Sequence, residues 1–527
     1  MDSLPQEIID KIASYIPEYL DWNGEWGNSR QSEWENERQS EQSDQSQWEN
    51  DQHSDQSEQS QWENDRQRVR VWPGLATLSR TWQAAIEKVT FERLTIASTD
   101  FSEFSTAFST VHRRRLLQSL YFTVILPPYS VEADQYESNQ DRERNNEVAG
   151  QEVNRLLREL ATWPTDSTIE LHIWFKSPTD EVSTLWGRHA YSYIRLTGLD
   201  QLQVPCVSSL TPRLGLWRGD RIIHPRSLVS LTATFPRVSE ISFEYDEPGP
   251  FFALRRELRG DFVASLEGFK LPSQVKRLRV GAIPPRLPHN KSLPDMIGPV
   301  PSDPLCVTVN KMVSQSNVRE VYYEGLVDPS FFRTSPDGFY SSLRILRLRC
   351  HYYSPSGKWY FKGSESNTFI QPASDEPLPA STRGLYPPGY GTEDDTVAAL
   401  AYERSMDRAA EENTPDDRSQ QFRLIPNEEI MVPLLEAFAR YIASIRSLQQ
   451  AQIIMDRPPW LGEWKVTYNA PGYPYFYDTD REDLSRARVY FLVWDWEPED
   501  SLVDLFRAIG QELYEQDAVI TFMPSSS

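Results

Sequence analysis

The residues best able to do covalent or metal chemistry in this chain are few and scattered: seven histidines and three cysteines that do not cluster. No Cys-x-x-Cys pair, His-Glu-x-x-His helix, Gly-x-Ser-x-Gly elbow or phosphate-binding glycine loop is present. Cys350-His351 offers too few donors to hold a metal and reads as packing at a strand end. Gly389-x-Gly391 lacks the preceding strand and following helix of a dinucleotide turn. Arg218-Gly219-Asp220, Arg259-Gly260-Asp261 and the sequon at Asn290 would matter only outside the cell. No catalytic residue, cofactor site or metal ligand is therefore assigned. What remains is recognition chemistry. Arg113-Arg114-Arg115 and Arg255-Arg256 could receive phosphate or carboxylate through their guanidinium forks, although a solvated face accounts for them more simply. The aromatics Trp460, Trp464, Tyr468, Tyr473, Tyr475, Phe476 and Tyr477 read either as a binding surface or as core.

Two amphipathic helices must position the most specific motif. In the first, Ser3 caps the N-terminus and Gln6 completes a capping box, with Pro5 in the tolerant first turn. Leu4, Ile8, Ile12 and Ile16 then form one apolar stripe that Pro17 closes. The second begins at Trp72-Pro73 and places Leu75, Leu78, Trp82, Ile86 and Val89 on one face, with Phe91 and Leu94 beyond it.

Leu4-Pro5 with its Ile stripe, followed by Leu75-x-x-Leu78-Ser79-Arg80-x-Trp82, Ile86 and Phe91, resembles the F-box. That three-helix module docks substrate receptors onto the Skp-type adaptor of cullin-RING ubiquitin ligases. The resemblance assigns residues 1–97 to the module. It implies that Leu4, Pro5, Ile8, Ile12, Leu75 and Trp82 fill the small core and touch the adaptor, and through it a cullin. It further implies a non-catalytic receptor that holds an unknown target protein.

An insert at 21–71 departs from the family, replacing a brief connection. Within it Ser32-Glu-Trp-Glu-Asn36, Ser46-Gln-Trp-Glu-Asn50 and Ser60-Gln-Trp-Glu-Asn64 recur every 14 residues. From Asp21 to Gln67 thirteen acidic residues face three arginines, so that stretch carries 10 of the 23 net negative charges. So few aliphatic residues cannot offset the entropy of ordering, and a disordered loop is expected. A helical seam aligning the three Trp residues is the other reading. Loop closure rises only logarithmically, so lengthening a loop of about six residues to about fifty costs roughly 2 kcal/mol.

Beyond residue 97 an apolar triplet, Φ-x-x-Φ-x-Φ, fits strands with alternate side chains turned inward. It occurs at Leu117/Leu120/Phe122, Tyr191/Ile194/Leu196, Val238/Ile241/Phe243, Val275/Leu278/Val280, Val318/Val321/Tyr323 and Leu343/Leu346/Leu348, and more weakly at Ile169/Leu171/Ile173. Helix-like stretches such as Phe262–Leu266 and Val307–Val313 precede several of them. Helix then strand, repeated, is the grammar of a leucine-rich-repeat solenoid. The triplets lie 25 to 74 residues apart, against about 20 to 29 in regular repeats. The expected fold is thus α/β: a three-helix F-box followed, over 98–527, by an irregular leucine-rich-repeat-like α/β solenoid that binds the target. An ordinary α/β domain is the alternative. Long loops are expected at 127–150, 284–304 and 354–427, then a helix over Glu428–Ile445, a strand Val489–Trp494, a helix Leu502–Tyr514 and a strand Val519–Met523. Such an architecture resembles a class of filamentous-fungal F-box proteins whose C-terminal domain has no assigned activity.

The net charge of -23 speaks against a nucleic-acid partner. No apolar run approaches the roughly 20 residues of a membrane span, and no secretory leader is read at the N-terminus. Singly placed cysteines suit a reducing cytoplasm or nucleus.

Overall fold

The computed structural model describes residues 79–129, 137–180, 192–199, 202–212, 221–248, 251–284, 291–293, 295–333, 342–363, 376–377, 386, 423–455, 463–473, 484–494 and 496–523. The chain divides into two compact units, one of residues 1–95 with 102–120, the other of residues 96–101 with 121–527.

In the first unit, Ser79 stands in extended conformation and its side chain accepts from the Trp82 N–H at 3.3 Å, starting helix α1 (Arg80–Thr90). The Phe91 N–H closes it onto the Glu87 carbonyl at 2.9 Å. The chain then passes through β1 (Arg93–Ala97), α2 (Phe101–Ala107) and α3 (Val111–Leu116) into β2 (Ser119–Ile125). Phe108 is the apolar centre here, with ring centroids 5.2 Å from Phe91 and 5.0 Å from Phe104.

The larger unit continues with α4 (Asn139–Leu160), β3 (Ile169–Lys176), β4 (Val207–Pro212), α5 (Pro225–Thr232), β5 (Glu240–Asp246), α6 (Phe252–Gly268), β6 (Arg277–Ile283) and the short β7 (Lys291–Ser292). Next come α7 (Pro304–Ser314), β8 (Glu320–Gly325), β9 (Ile345–Cys350), the short β10 (Phe361–Gly363), β11 (Glu376–Pro377) and β12 (Arg423–Pro426). It ends with α8 (Glu428–Ala443), β13 (Gln450–Met455), β14 (Trp464–Asn469), β15 (Arg488–Leu492), α9 (Asp500–Tyr514) and β16 (Val519–Phe522).

The fold is mixed α/β around a twelve-stranded sheet in which spatial order follows chain order: β1-β2-β3-β4-β5-β6-β8-β9-β13-β14-β15-β16. Within this sheet the described pairings from β3 to β13 are parallel, β14 runs antiparallel to β13 and β15, and β15 and β16 are parallel; outside it, β10 and β12 pair antiparallel. Successive strands enter the sheet alike. The N–H groups of Lys276 and Arg277 share the Ser239 carbonyl, those of Arg319 and Glu320 share Lys276, those of Arg344 and Ile345 share Arg319, and those of Gln449 and Gln450 share Arg344. One face of the strands is buried under helices; Tyr245 meets Phe262 of α6 at 5.4 Å and Phe491 meets Phe506 of α9 at 5.2 Å. Close stacking demands glycine at position 325, where φ is +149° and a Cβ would lie 2.7 Å from the Ala282 carbonyl oxygen.

The triplets at 169, 238, 275, 318 and 343 all become strands with their apolar members buried. Leu448/Ala451/Ile453 continues the pattern in β13 with alanine at the central position. The triplet at 191 does not become a strand: Tyr191 lies outside the described residues, and Ile194 makes only an isolated parallel bridge to Ile223. Its neighbours bond to side chains instead, Arg195 N–H to Asn146 Oδ1 at 2.8 Å and Leu196 N–H to Ser227 Oγ at 3.0 Å.

That substitution explains a correction. The stretch 127–150, expected as a long loop, is helical from Asn139, where Ser138 caps α4. Asn145, Asn146 and Asn154 lie on the buried face of α4, so its core side reads as polar. Gly150 permits the close approach, since a Cβ there would meet the Thr197 carbonyl oxygen at 2.5 Å.

Candidate functional site

Of the six residues expected at the adaptor interface, Leu4, Pro5, Ile8, Ile12 and Leu75 lie outside the described residues, as does the insert at 21–71. Trp82 is described. It sits in the first turns of α1, 6% exposed, on a face shared with buried Ala85 and Ile86. Glu87 anchors the same helix: Arg113 of α3 donates to its Oε1 at 2.7 Å, and Gln83 does so at 3.0 Å. Burial pushes the Glu87 carboxyl up, but hydrogen bonds from Arg113 and Gln83, with the charges of Arg113 and His112, hold it below the ordinary range. Arg113 also donates to the Ala107 carbonyl and lies 5.2 Å over the Phe91 ring, so it joins α1 to α3.

In the larger unit, the sheet face opposite the apolar core carries polar rows set by strand register. Lys276, Arg319 and Arg344 stand at equivalent positions immediately before β6, β8 and β9, and all three are exposed. Within the strands the first outward row is Glu240, Arg277, Glu320, Ile345 and Gln450; the one after it is Ser242, Arg279, Tyr322, Arg347 and Gln452. A further row holds Glu244, Gly281, Glu324, Arg349 and Ile454.

Arg277 bridges Glu240 and Glu320 at 2.9 Å each, and Arg279 approaches Glu240 at 3.7 Å. Tyr322 lies between two guanidiniums, with Arg279 5.0 Å and Arg347 5.5 Å from its ring centre. Burial raises the Tyr322 hydroxyl above its ordinary value despite the lowering charge of Arg347. Arg347 also donates to Gln450 Oε1 at 3.0 and 3.3 Å, and Gln450 donates to Asn469 Oδ1 at 3.3 Å.

Two further ion-pair networks are buried where the chain leaves the strands. Past β5, Arg255 donates to Glu247 Oε2 at 2.8 and 2.5 Å and to the Tyr353 hydroxyl at 3.2 Å. Arg259, one turn on, reaches Asp303 at 2.7 Å and Glu247 at 3.5 Å. Asp303 in turn caps α7. Past β3, Arg221 grips Asp180 with two 3.0 Å bonds and Glu137 at 2.6 Å, while Tyr129 and Ser192 donate to Asp180 and Glu137 respectively. Burial works against their charge, but opposite charges hold all three buried arginines firmly protonated.

Arg255 is therefore no solvated face, because at helical spacing its neighbour Arg256 takes the solvent side and Arg255 the interior. The described cysteines are all buried; burial pushes the Cys206 thiol up to about 12 and the Cys306 thiol well above its ordinary value. Cys350 lines the core of β9, and His351 packs beside Tyr352 and Tyr353 with centroids at 3.9 and 4.7 Å. Trp464 and Tyr468, from the aromatic stretch, are core. Among the described residues no group of three or more side chains could hold a metal ion, and no helix is long and apolar enough to cross a membrane.

No protein family, curated protein or solved structure matches the chain. The arginine clusters flagged in the sequence divide otherwise: Arg255 is interior, Arg256 is exposed on α6, and Arg113 ties α1 to α3, so none of them belongs to the outward rows. The rows had a signal in the sequence: the x positions of the strand triplets are basic at 276, 277, 279, 319, 344 and 347.

Proposed function

We propose that the protein is the substrate-recognition subunit of an SCF-type ubiquitin ligase, with an F-box over residues 1–97 and a target-binding region beyond it. The observation that carries this reading is the paired motif, Leu4-Pro5 with its Ile stripe and Leu75-x-x-Leu78-Ser79-Arg80-x-Trp82. It is supported by Ser79 capping α1 and by Trp82 and Ile86 sharing the helix's buried face. An irregular leucine-rich-repeat-like solenoid is the reading of the larger unit best supported by strands in chain order, parallel pairing and a repeated entry hydrogen bond. The receptor works by proximity. It raises the local concentration of a target beside a recruited ubiquitin-loaded enzyme and supplies no nucleophile or base of its own.

Co-purification with a Skp-type adaptor tests the reading. Binding is expected for the intact chain and lost on combining Leu4→Ala with Trp82→Ala; adaptor binding unchanged by that pair defeats it. The insert motivates a second reading, a protein-binding scaffold outside any ligase. Deleting residues 21–67 restores adaptor binding if the insert alone obstructs it, and failure of both forms to bind favours the scaffold.

A further inference from the structure

Where β6, β8 and β9 begin, the larger unit presents a basic face in an acidic protein. Over β6, β8 and β9 and the residues that enter them, Glu320 and Glu324 are the only acidic side chains, against Lys276, Arg277, Arg279, Arg319, Arg344, Arg347 and Arg349. Glu320 and Glu240 are already engaged by Arg277 and Arg279. Lys276, Arg319 and Arg344 are exposed and take part in no described ion pair. Neighbouring strands stand about 4.8 Å apart, so these three cations span about 10 Å in a nearly straight line.

We propose that this face binds a segment of the target protein rich in aspartate and glutamate. The inference deepens the target-recognition reading above and rests on it. Charge complementarity selects the occupant, and the distribution of charge selects its source. A phosphate dianion is best held by several cations converging on one point, whereas here single cations are spread along a row, the spacing that successive carboxylates satisfy. The Tyr322 ring holds Arg279 and Arg347 over its two sides, so less side-chain freedom is lost when a partner arrives. A short segment responds to this local field within a screening length of about 8 Å. A long polyanion such as nucleic acid also meets the rest of a chain carrying a net charge of -23.

The test uses the intact chain and a fluorescein-labelled Glu-Ser repeat peptide, followed by anisotropy. Binding is expected, weakening as salt rises, and absent for the matching Gln-Ser peptide. Combining Arg319→Glu with Arg344→Glu weakens it at least about tenfold, while Arg319→Lys with Arg344→Lys retains it. Thermal melts of all three chains establish that they are folded; should the Glu pair not fold, Arg319→Gln with Arg344→Gln takes its place with the same expected direction. No binding by the intact chain, or binding indifferent to charge reversal, overturns the proposal. So does binding at least tenfold tighter to the phosphoserine version of the peptide, or to a single-stranded oligonucleotide. Adaptor co-purification is read separately, so loss of peptide binding with adaptor binding intact rejects this site alone, and the converse rejects only the ligase reading.

Discussion

Past the end of β5, Arg255 and Arg259 are sealed in the interior against Glu247 and Asp303. At the entries of β6, β8 and β9, Lys276, Arg319 and Arg344 stand in solvent without a described ion pair. The residue types are nearly the same and the consequences opposite. A buried guanidinium has given up its water and depends on its carboxylates, so removing one partner strands the other. An exposed guanidinium keeps its water, contributes little to the fold and remains free to meet an incoming anion.

The largest expected effect tests the interior side of that contrast. Glu247→Ala leaves Arg255 and weakens Arg259 inside the molecule, and should cost about 3–5 kcal/mol in urea unfolding; a loss below about 1 kcal/mol would show that the network is not sealed as described. A second test concerns His224, which caps α5 by accepting the Arg226 N–H at 3.3 Å on Nδ1. Burial, then the charges of Arg195 and Arg226, push its pKa down to about 3. Asp261 lies 3.5 Å from Nε2 and favours the charged form, but Arg195 and Arg226 approach the same carboxylate at 3.9 and 3.8 Å and offset it.

Because the folded pKa lies below the unfolded value of about 6.5, the unfolded chain binds more protons between them. The stability His224 contributes is complete above about pH 6.5 and is lost as pH falls toward 3, on the order of 2–4 kcal/mol. His224→Asn, which keeps a capping acceptor, should flatten the stability profile in that window; an unchanged slope would assign it to other groups.

Arg113→Ala in the first unit has a smaller expected cost, about 0.5–1 kcal/mol, because the pair it makes with Glu87 is partly open to solvent. Smallest of all, Arg319→Ala and Arg344→Ala should each shift the midpoint by no more than about 0.5 kcal/mol. A larger loss from either would mean that the outward rows hold the fold together and would erase the contrast with Arg255.

Much of the sheet was legible from its sequence. At Val275/Leu278/Val280 and Val318/Val321/Tyr323 the side chains alternate inward and outward within a few residues, and alternation is a local property that one strand displays by itself. β13 shows weakly as a triplet because Ala451 is a weak apolar signal, and α4 does not show as an amphipathic helix because its asparagines bond to the backbone of residues 195 and 198, an environment far away in sequence. For the candidate site, only the types were legible. Arg255-Arg256 and Arg113-Arg114-Arg115 read as surface charge, yet Arg255 proved interior and Arg113 tied two helices together.

The sequence by itself determined the paired Leu-Pro and Leu-x-x-Leu-Ser-Arg-x-Trp motifs, the alternation that makes the strands, and the charge of -23 with 10 of it between residues 21 and 67. These follow from composition and short-range spacing. Tertiary structure alone decided which arginines are interior and which form rows, because a row exists only when residues 276, 319 and 344 are brought into register by hydrogen bonds between strands. Arg255 and Arg319 are one residue type; what separates their consequences is whether a carboxylate is waiting beneath the surface or only water above it.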